Sequence, residues 1–271
     1  LENWVPLYMT GQISPYYLKG VQNRVYSHLH YCSGQVAMTG DCISGHHDLA
    51  HYYLTSRKEE VSISQKNMEF LLKKAHPLMD IYREERKKEL HASLLENAGK
   101  EGRRRRVLAV PDLGVLPKKL LEEILERNHV VLNEKTVILE SYKRSATCLE
   151  TILKHSVVED EVSVLSEAEY EKYPLVLPLA ECFLEKDIRL TYEEYHACIG
   201  AAENYAKANE NYQFNLTKIK GFHNIQITCF EGKWCMISKN RAPAIHFVIH
   251  HPKLRYALEN MVLPIRDDEI E

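Results

Sequence analysis

Residues 222–262 read FHNIQITCF, then EGKW, then CMISKN, then RAPAIHFVIHHPKLRYALENMV. Two apolar runs flank Glu231-Gly232, a third run alternates from Ala244 to His250, and PKLRYALENM carries a helical pattern. The stretch therefore reads as a hairpin, a third strand and a closing helix. With Glu231-Gly232 as a two-residue turn, Cys229 lies opposite Trp234 and Cys235 opposite Thr228. The two cysteines are then not expected to face each other, and they read as reduced thiols packed as small hydrophobes.

Working back from this segment, strands and helices interleave. Val107 to Val110 is a short apolar strand. Pro117 opens a helix that buries Leu120, Leu121, Ile124 and Leu125. Val130 to Leu132 and Thr136 to Leu139 read as strands around an Asn133-Glu134 turn, followed by a helix over Tyr142–Leu153 and a strand over Val162–Leu165. Thr191 and Glu194 form a capping box, opening a helix with Tyr195, Cys198, Ile199, Ala202, Tyr205 and Ala206 on one face.

The N-terminal part is less periodic. Asp48 to Leu54 reads as a helical turn and Val61 to Ser64 as a strand. A long helix then begins at Ser64 and is bent by Pro77. Residues 97–106, NAGKEGRRRR, combine two glycines with four arginines and read as an exposed linker. The fold class expected is mixed α and β, a central sheet flanked by helices with a helix-rich N-terminal part. The divisions are residues 1–100 with a Gly/His-rich loop, an α/β core over 107–265 and an acidic tail over 266–271.

Composition narrows the classes of function. Among 271 residues, 45% are hydrophobic and 27% charged, and the net charge is −3. That balance supplies no basic field for nucleic acid or an anionic membrane. No apolar run reaches the roughly 18 residues that span a bilayer. A cytoplasmic location without membrane contact is the expectation. The chain begins at Leu1, which suggests that a further domain precedes it.

Three clusters could carry chemistry. His47 and His51 stand four apart, so a helix would bring both rings to one face, with Cys42 and His46 nearby. The central glutamate of a zinc protease motif is missing, no metal set is complete, and the sequence leaves any cofactor unknown. His246 and His250 share a face of the alternating strand and could hold an anion or form an ordinary polar face. Tyr195 and Tyr205 line the aromatic helix. No nucleophile elbow, Walker loop or dinucleotide fingerprint occurs, so no catalytic residue is named. His46, His47, His51, Tyr195, Tyr205, His246 and His250 are the candidate ligand contacts, with Cys42, His47 and His51 as weak metal candidates.

The segment His223–Val262 resembles the second half of a phospholipase D-type unit. His223 stands at the family's histidine, Gly232-Lys233 at its turn, and Ser238-Lys239-Asn240 at its S-x-N. Ile225 and Phe230 occupy the places of the lysine and aspartate, so the resemblance implies an inactive shell. Such units are similar to the effector domains of bacterial helix-turn-helix transcription regulators. That resemblance implies a ligand-sensing or dimerising effector domain without catalysis, a homodimer that meets DNA only through a domain outside this chain. The alternatives are a metal-dependent hydrolase using His46–His51 and a protein-interaction module.

Overall fold

The computed structural model describes residues 7, 8, 10, 12–19, 25–217, 223 and 225–262. Phe222 and the acidic tail over 266–271 lie outside the described residues. The chain divides into a smaller unit, Ser14–Leu78, and a larger one formed by Leu1–Ile13 and Met79–Glu271. The fold is mixed α and β.

Among its described residues the smaller unit combines five short strands with one long helix. Strands β1 (Tyr16–Tyr17), β2 (Tyr26–Cys32), β3 (Ala37–Ile43) and β4 (His51–Thr55) precede helix α1 (Lys58–Lys74) and strand β5 (His76–Pro77). β2, β3 and β4 form an antiparallel sheet, and β1 pairs with β5. His51 to Thr55 is a strand rather than a helical turn, since HYYLT is rich in aromatic residues that suit a pleated surface. Val61 lies inside α1 rather than in a strand and is the helix's buried residue. Pro77 follows the helix instead of bending it, in line with proline's exclusion from helix interiors.

In the larger unit, β6 (Asp80–Tyr82) leads to α2 (Lys87–Ala98), β7 (Arg104–Leu108), α3 (Lys118–Arg127) and α4 (Leu132–Leu153). Next come β8 (Val158–Ser163), α5 (Glu167–Lys172), α6 (Tyr192–Ala208) and β9 (Tyr212–Thr217). The hairpin and closing helix are β10 (Ile225–Phe230), β11 (Trp234–Lys239), β12 (Ile245–Ile249) and α7 (Pro252–Glu259). Seven strands make one sheet in the order β6-β12-β11-β10-β7-β8-β9. β7, β8 and β9 are parallel, joined through α3–α4 and α5–α6, because a parallel step needs a long crossover. The remaining neighbours are antiparallel.

Three expectations change here. Residues 130–139 do not form two strands: α4 runs unbroken from Leu132 to Leu153 with Ile138 and Leu149 buried. The Arg103–Arg106 run is not a linker either, for Arg104, Arg105 and Arg106 belong to β7 inside the sheet. The hairpin loop has three residues, Glu231, Gly232 and Lys233, so Phe230 faces Trp234 and Cys229 faces Cys235. Gly232 takes φ +71°, which glycine adopts without steric cost. The two thiols are free and their sulfurs stand 2.9 Å apart.

The main core packs α3, α4 and α6 with the segment 175–190 over β8 and β9, around fully buried Leu121, Ile124, Ile138 and Tyr195. Thr191 and Glu194 make the capping box read from the sequence. Glu194 also holds Arg127 at 2.6 Å, which ties α6 to α3.

A charged cavity against the central sheet

Alternation along β7 sends its arginines to opposite faces of the sheet, and acidic β8 lies beside it. On one face Arg103 pairs with Glu159, and Arg105 with Glu161 at 2.6 Å. On the other face Arg106 forks onto Asp160 at 2.5 and 2.7 Å, while Tyr212 donates to the same carboxylate at 2.7 Å. Asp160 is fully buried, so this is a desolvated ion pair whose polar atoms are satisfied by neighbours. Burial works against the Arg106 charge, yet Asp160 and Asp112 more than offset it and hold its pKa above the ordinary value.

Arg104 is also buried, and among the described residues it meets backbone carbonyls rather than a carboxylate. Its guanidinium donates to the carbonyls of Gly102, Asn97 and Lys100 at 2.7–2.8 Å and lies 4.0 Å over the Phe230 ring. It thereby satisfies carbonyls at the end of α2. Burial alone pulls its pKa down to about 10.

Between α2, α4, the turn Ala180–Cys182 and strands β7, β10 and β11 there is a cavity of about 100 Å³. Its lining includes Arg104, Arg106, Arg144, Asp112, Glu181 and Trp234, with further polar side chains such as Gln226 and Thr228. Asp112 caps the turn Leu113–Val115 by accepting from the Gly114 backbone at 2.8 Å, and it accepts from Ser145 Oγ as well. Gly114 is required at that point, because an added Cβ would stand 2.9 Å from the backbone of α4. Arg106 reaches Asp112 at 3.1 Å.

Two donors in this lining are unsatisfied among the described residues. Trp234 Nε1 is buried and makes no hydrogen bond. Arg144 Nε is likewise without one, its nearest carboxylate oxygen being Glu181 Oε2 at 3.8 Å. The Glu181 carboxyl is pushed up to about 7 by burial and then by Asp112, with Arg144 and Arg106 acting in opposition. Cys148, also in the lining, is raised to about 11 by burial and stays a thiol at neutral pH. The cavity thus offers donors and two carboxylates, but no activated sulfur nucleophile.

The residues singled out from the sequence fall elsewhere. Cys42 Sγ lies 3.2 Å from His47 Nδ1, but His47 sits in a single 3₁₀ turn and His51 opens β4, so no helix aligns their rings. His46 is exposed beside them. Among the described residues no group of three His, Cys, Asp or Glu side chains could hold a metal ion. Tyr195 is fully buried and donates to the Ser163 carbonyl at 2.9 Å, a satisfied core position. Tyr205 stands edge-on to Tyr212 at 5.1 Å.

β12 lies between β6 and β11 and is buried throughout, so it has no polar face. His246 sits with its Nδ1 2.7 Å from Ser238 Oγ and its ring 5.2 Å from Phe183; burial lowers its pKa to about 4. His250 lies beyond β12, exposed, 3.4 Å from Asp80. His223 stacks on Tyr173 at 4.6 Å.

Sequence reasoning passed over Arg104, Arg106, Asp112, Arg144, Glu181 and Trp234. One signal was present: Arg103–Arg106 and Glu159–Glu161 are short runs of opposite charge, each leading into an apolar run. Two such runs on neighbouring strands neutralise each other. Among the described residues no helix is long and apolar enough to cross a membrane. Comparison with protein-family models, with curated proteins and with solved structures finds no match.

Proposed function

We propose that this chain is a ligand-sensing effector module of a transcription regulator, with its ligand in the cavity beneath α2 and α4 rather than in the His46–His51 loop. The observation that carries the reading is Trp234 Nε1, a buried donor without a partner in the wall of a charged cavity. Leaving such a group unpaired costs about 1–3 kcal/mol, so an acceptor placed in the cavity recovers that cost. Arg144 Nε offers a second donor in the same wall. A volume of about 100 Å³ suits a ligand of few atoms, and the donors favour a small carboxylate or oxyanion.

Chemistry is not what this lining is built for. Ser145 Oγ donates to a carboxylate already engaged by Arg106, and Cys148 stays protonated. Sensing would proceed by population shift, the ligand favouring one arrangement of α2 and α4 over the sheet. The step to DNA rests on the resemblance to regulator effector domains and needs a DNA-binding segment outside this chain.

Thermal unfolding in the presence of small carboxylates and inorganic oxyanions tests the site. A ligand that binds only the folded state stabilises it by roughly 2.7 kcal/mol at a hundredfold excess over Kd, so the Tm rises with ligand concentration. Trp234→Phe, which keeps the ring in its core and removes the donor, should weaken the effect at least tenfold. No shift with any such compound, or an unchanged shift in Trp234→Phe, would sink the reading.

A further inference from the structure

Helix α1 has two faces with different fates. Val61 is buried, and Ser64 and Met68 are half-buried, along one side. Glu59, Ile63, Lys66, Phe70, Lys73 and Lys74 fall on the opposite side at helical spacing, and all are exposed. Ile63 and Phe70 are 60% and 58% exposed, large apolar groups on the outer stripe of a helix whose ends are charged. Its first turn holds Glu59 and Glu60 and its last turn Lys73 and Lys74.

The stripe is symmetric about its own middle. Ile63 and Phe70 lie equally far from the point between Lys66 and Asn67, and so do Glu59 and Lys74. A second copy of this helix laid antiparallel across a two-fold axis at that point sets each Ile63 against Phe70 of the other copy. It also sets each Glu59 against Lys74 of the other copy. Such self-complementarity is what an isologous contact requires. Lys66 flanks the axis, where its stem can cover apolar surface while the ammonium stays in water.

We propose that α1 is a homodimerisation surface of this protein, its outer stripe pairing antiparallel with the same stripe of a second copy. The charged ends also suit a lone helix, whose dipole favours acids at its start and bases at its end. Within one chain Lys74 Nζ lies 4.3 Å over the Phe70 ring, yet Ile63 and Phe70 both keep more than half of their surface exposed. A 17-residue helix is about 25 Å long, and a contact of that length falls below the roughly 800 Å² per partner of a standard interface. The dimer is therefore reversible and concentration-dependent. The proposal is independent of the ligand assigned to the cavity.

The test is sedimentation velocity on the whole chain over a concentration series, with circular dichroism and thermal melts as controls for folding. The wild type should pass from monomer to dimer. Ile63→Glu alone and Phe70→Lys alone should each stay monomeric with unchanged melts, because neither side chain belongs to the buried face. An equimolar mixture of the two should dimerise again, since one junction becomes Glu against Lys and the other keeps Phe70 against Ile63. Three outcomes overturn the proposal: a monomeric wild type, a dimer indifferent to both substitutions, or two monomeric variants that fail to associate when mixed. A loss of folding stability in the single variants, with no change in association, would place the stripe against the rest of the same chain and overturn it too.

Discussion

The larger unit draws its most polar groups inside, whereas the smaller one leaves its large apolar groups outside. In the larger unit Arg104 and Asp160 are buried and Arg106 is half-buried, and each meets designated partners. In the smaller unit Tyr52, Leu54 and Phe70 are more than half exposed, and among its described residues Ala37, Gly40, Thr55 and Val61 are buried. Size explains the contrast. A seven-stranded sheet with helices has enough depth to desolvate an ion pair and supply every hydrogen bond it needs. A three-stranded sheet, a two-stranded pair and one helix have a surface-to-volume ratio that leaves faces uncovered.

Five substitutions would break or sharpen that contrast. Arg106→Ala should have the largest effect, destabilising by about 4 kcal/mol in urea unfolding, since it strands the buried Asp160 carboxylate. Leu121→Ala, at a fully buried position of α3, should cost about 3 kcal/mol by the same measurement. Equal stability in either variant would show that the larger core does not depend on these contacts.

Glu181→Gln should move stability the other way, and only above a certain pH. The folded pKa of about 7 exceeds the ordinary 4.5, so the folded state holds this proton more tightly. The carboxyl's contribution is complete below pH 4.5 and is lost as pH rises through 7. Unfolding curves should therefore show Glu181→Gln gaining about 2 kcal/mol over wild type at pH 8 and almost nothing at pH 4.5. A gain independent of pH would remove Glu181 from the charged cavity's energetics. Arg103→Ala should cost less than about 1 kcal/mol, because the Arg103 side chain is more than half exposed where it meets Glu159. Leu54→Thr, on the open face of the small sheet, should change stability by less than about 0.5 kcal/mol. A large loss there would mean that Leu54 is covered in solution.

The same contrast governs what could be read in advance. The hairpin, β12 and α7 were legible because their patterning, the glycine turn and the proline at the helix start all agree. The capping box at Thr191 was legible because it is a contact between residues three apart. Residues 130–139 misled, since Val130-Val131-Leu132 favours strand by local preference while packing of Ile138 and Leu149 makes α4 continuous. One residue in the hairpin loop was enough to turn Cys229 from Trp234 to Cys235, because a one-residue slip changes every cross-strand neighbour.

The cavity was out of reach for a different reason. Its walls come from α2, β7, α4, β10, β11 and the turn at Glu181, so no spacing within the chain connects Arg104 to Arg144 or Trp234. The sequence by itself determined what neighbouring residues decide together: the mixed α and β class, the hairpin with its third strand and closing helix, and the cap of α6. Only the tertiary structure decided what distant residues decide: that Arg104, Arg105 and Arg106 form a strand, that acidic β8 neutralises it, and that Trp234 lines a charged cavity with its Nε1 unpaired among the described residues. Pattern encodes which face is buried, but charge is satisfied across the chain, and that pairing exists only once the strands have met.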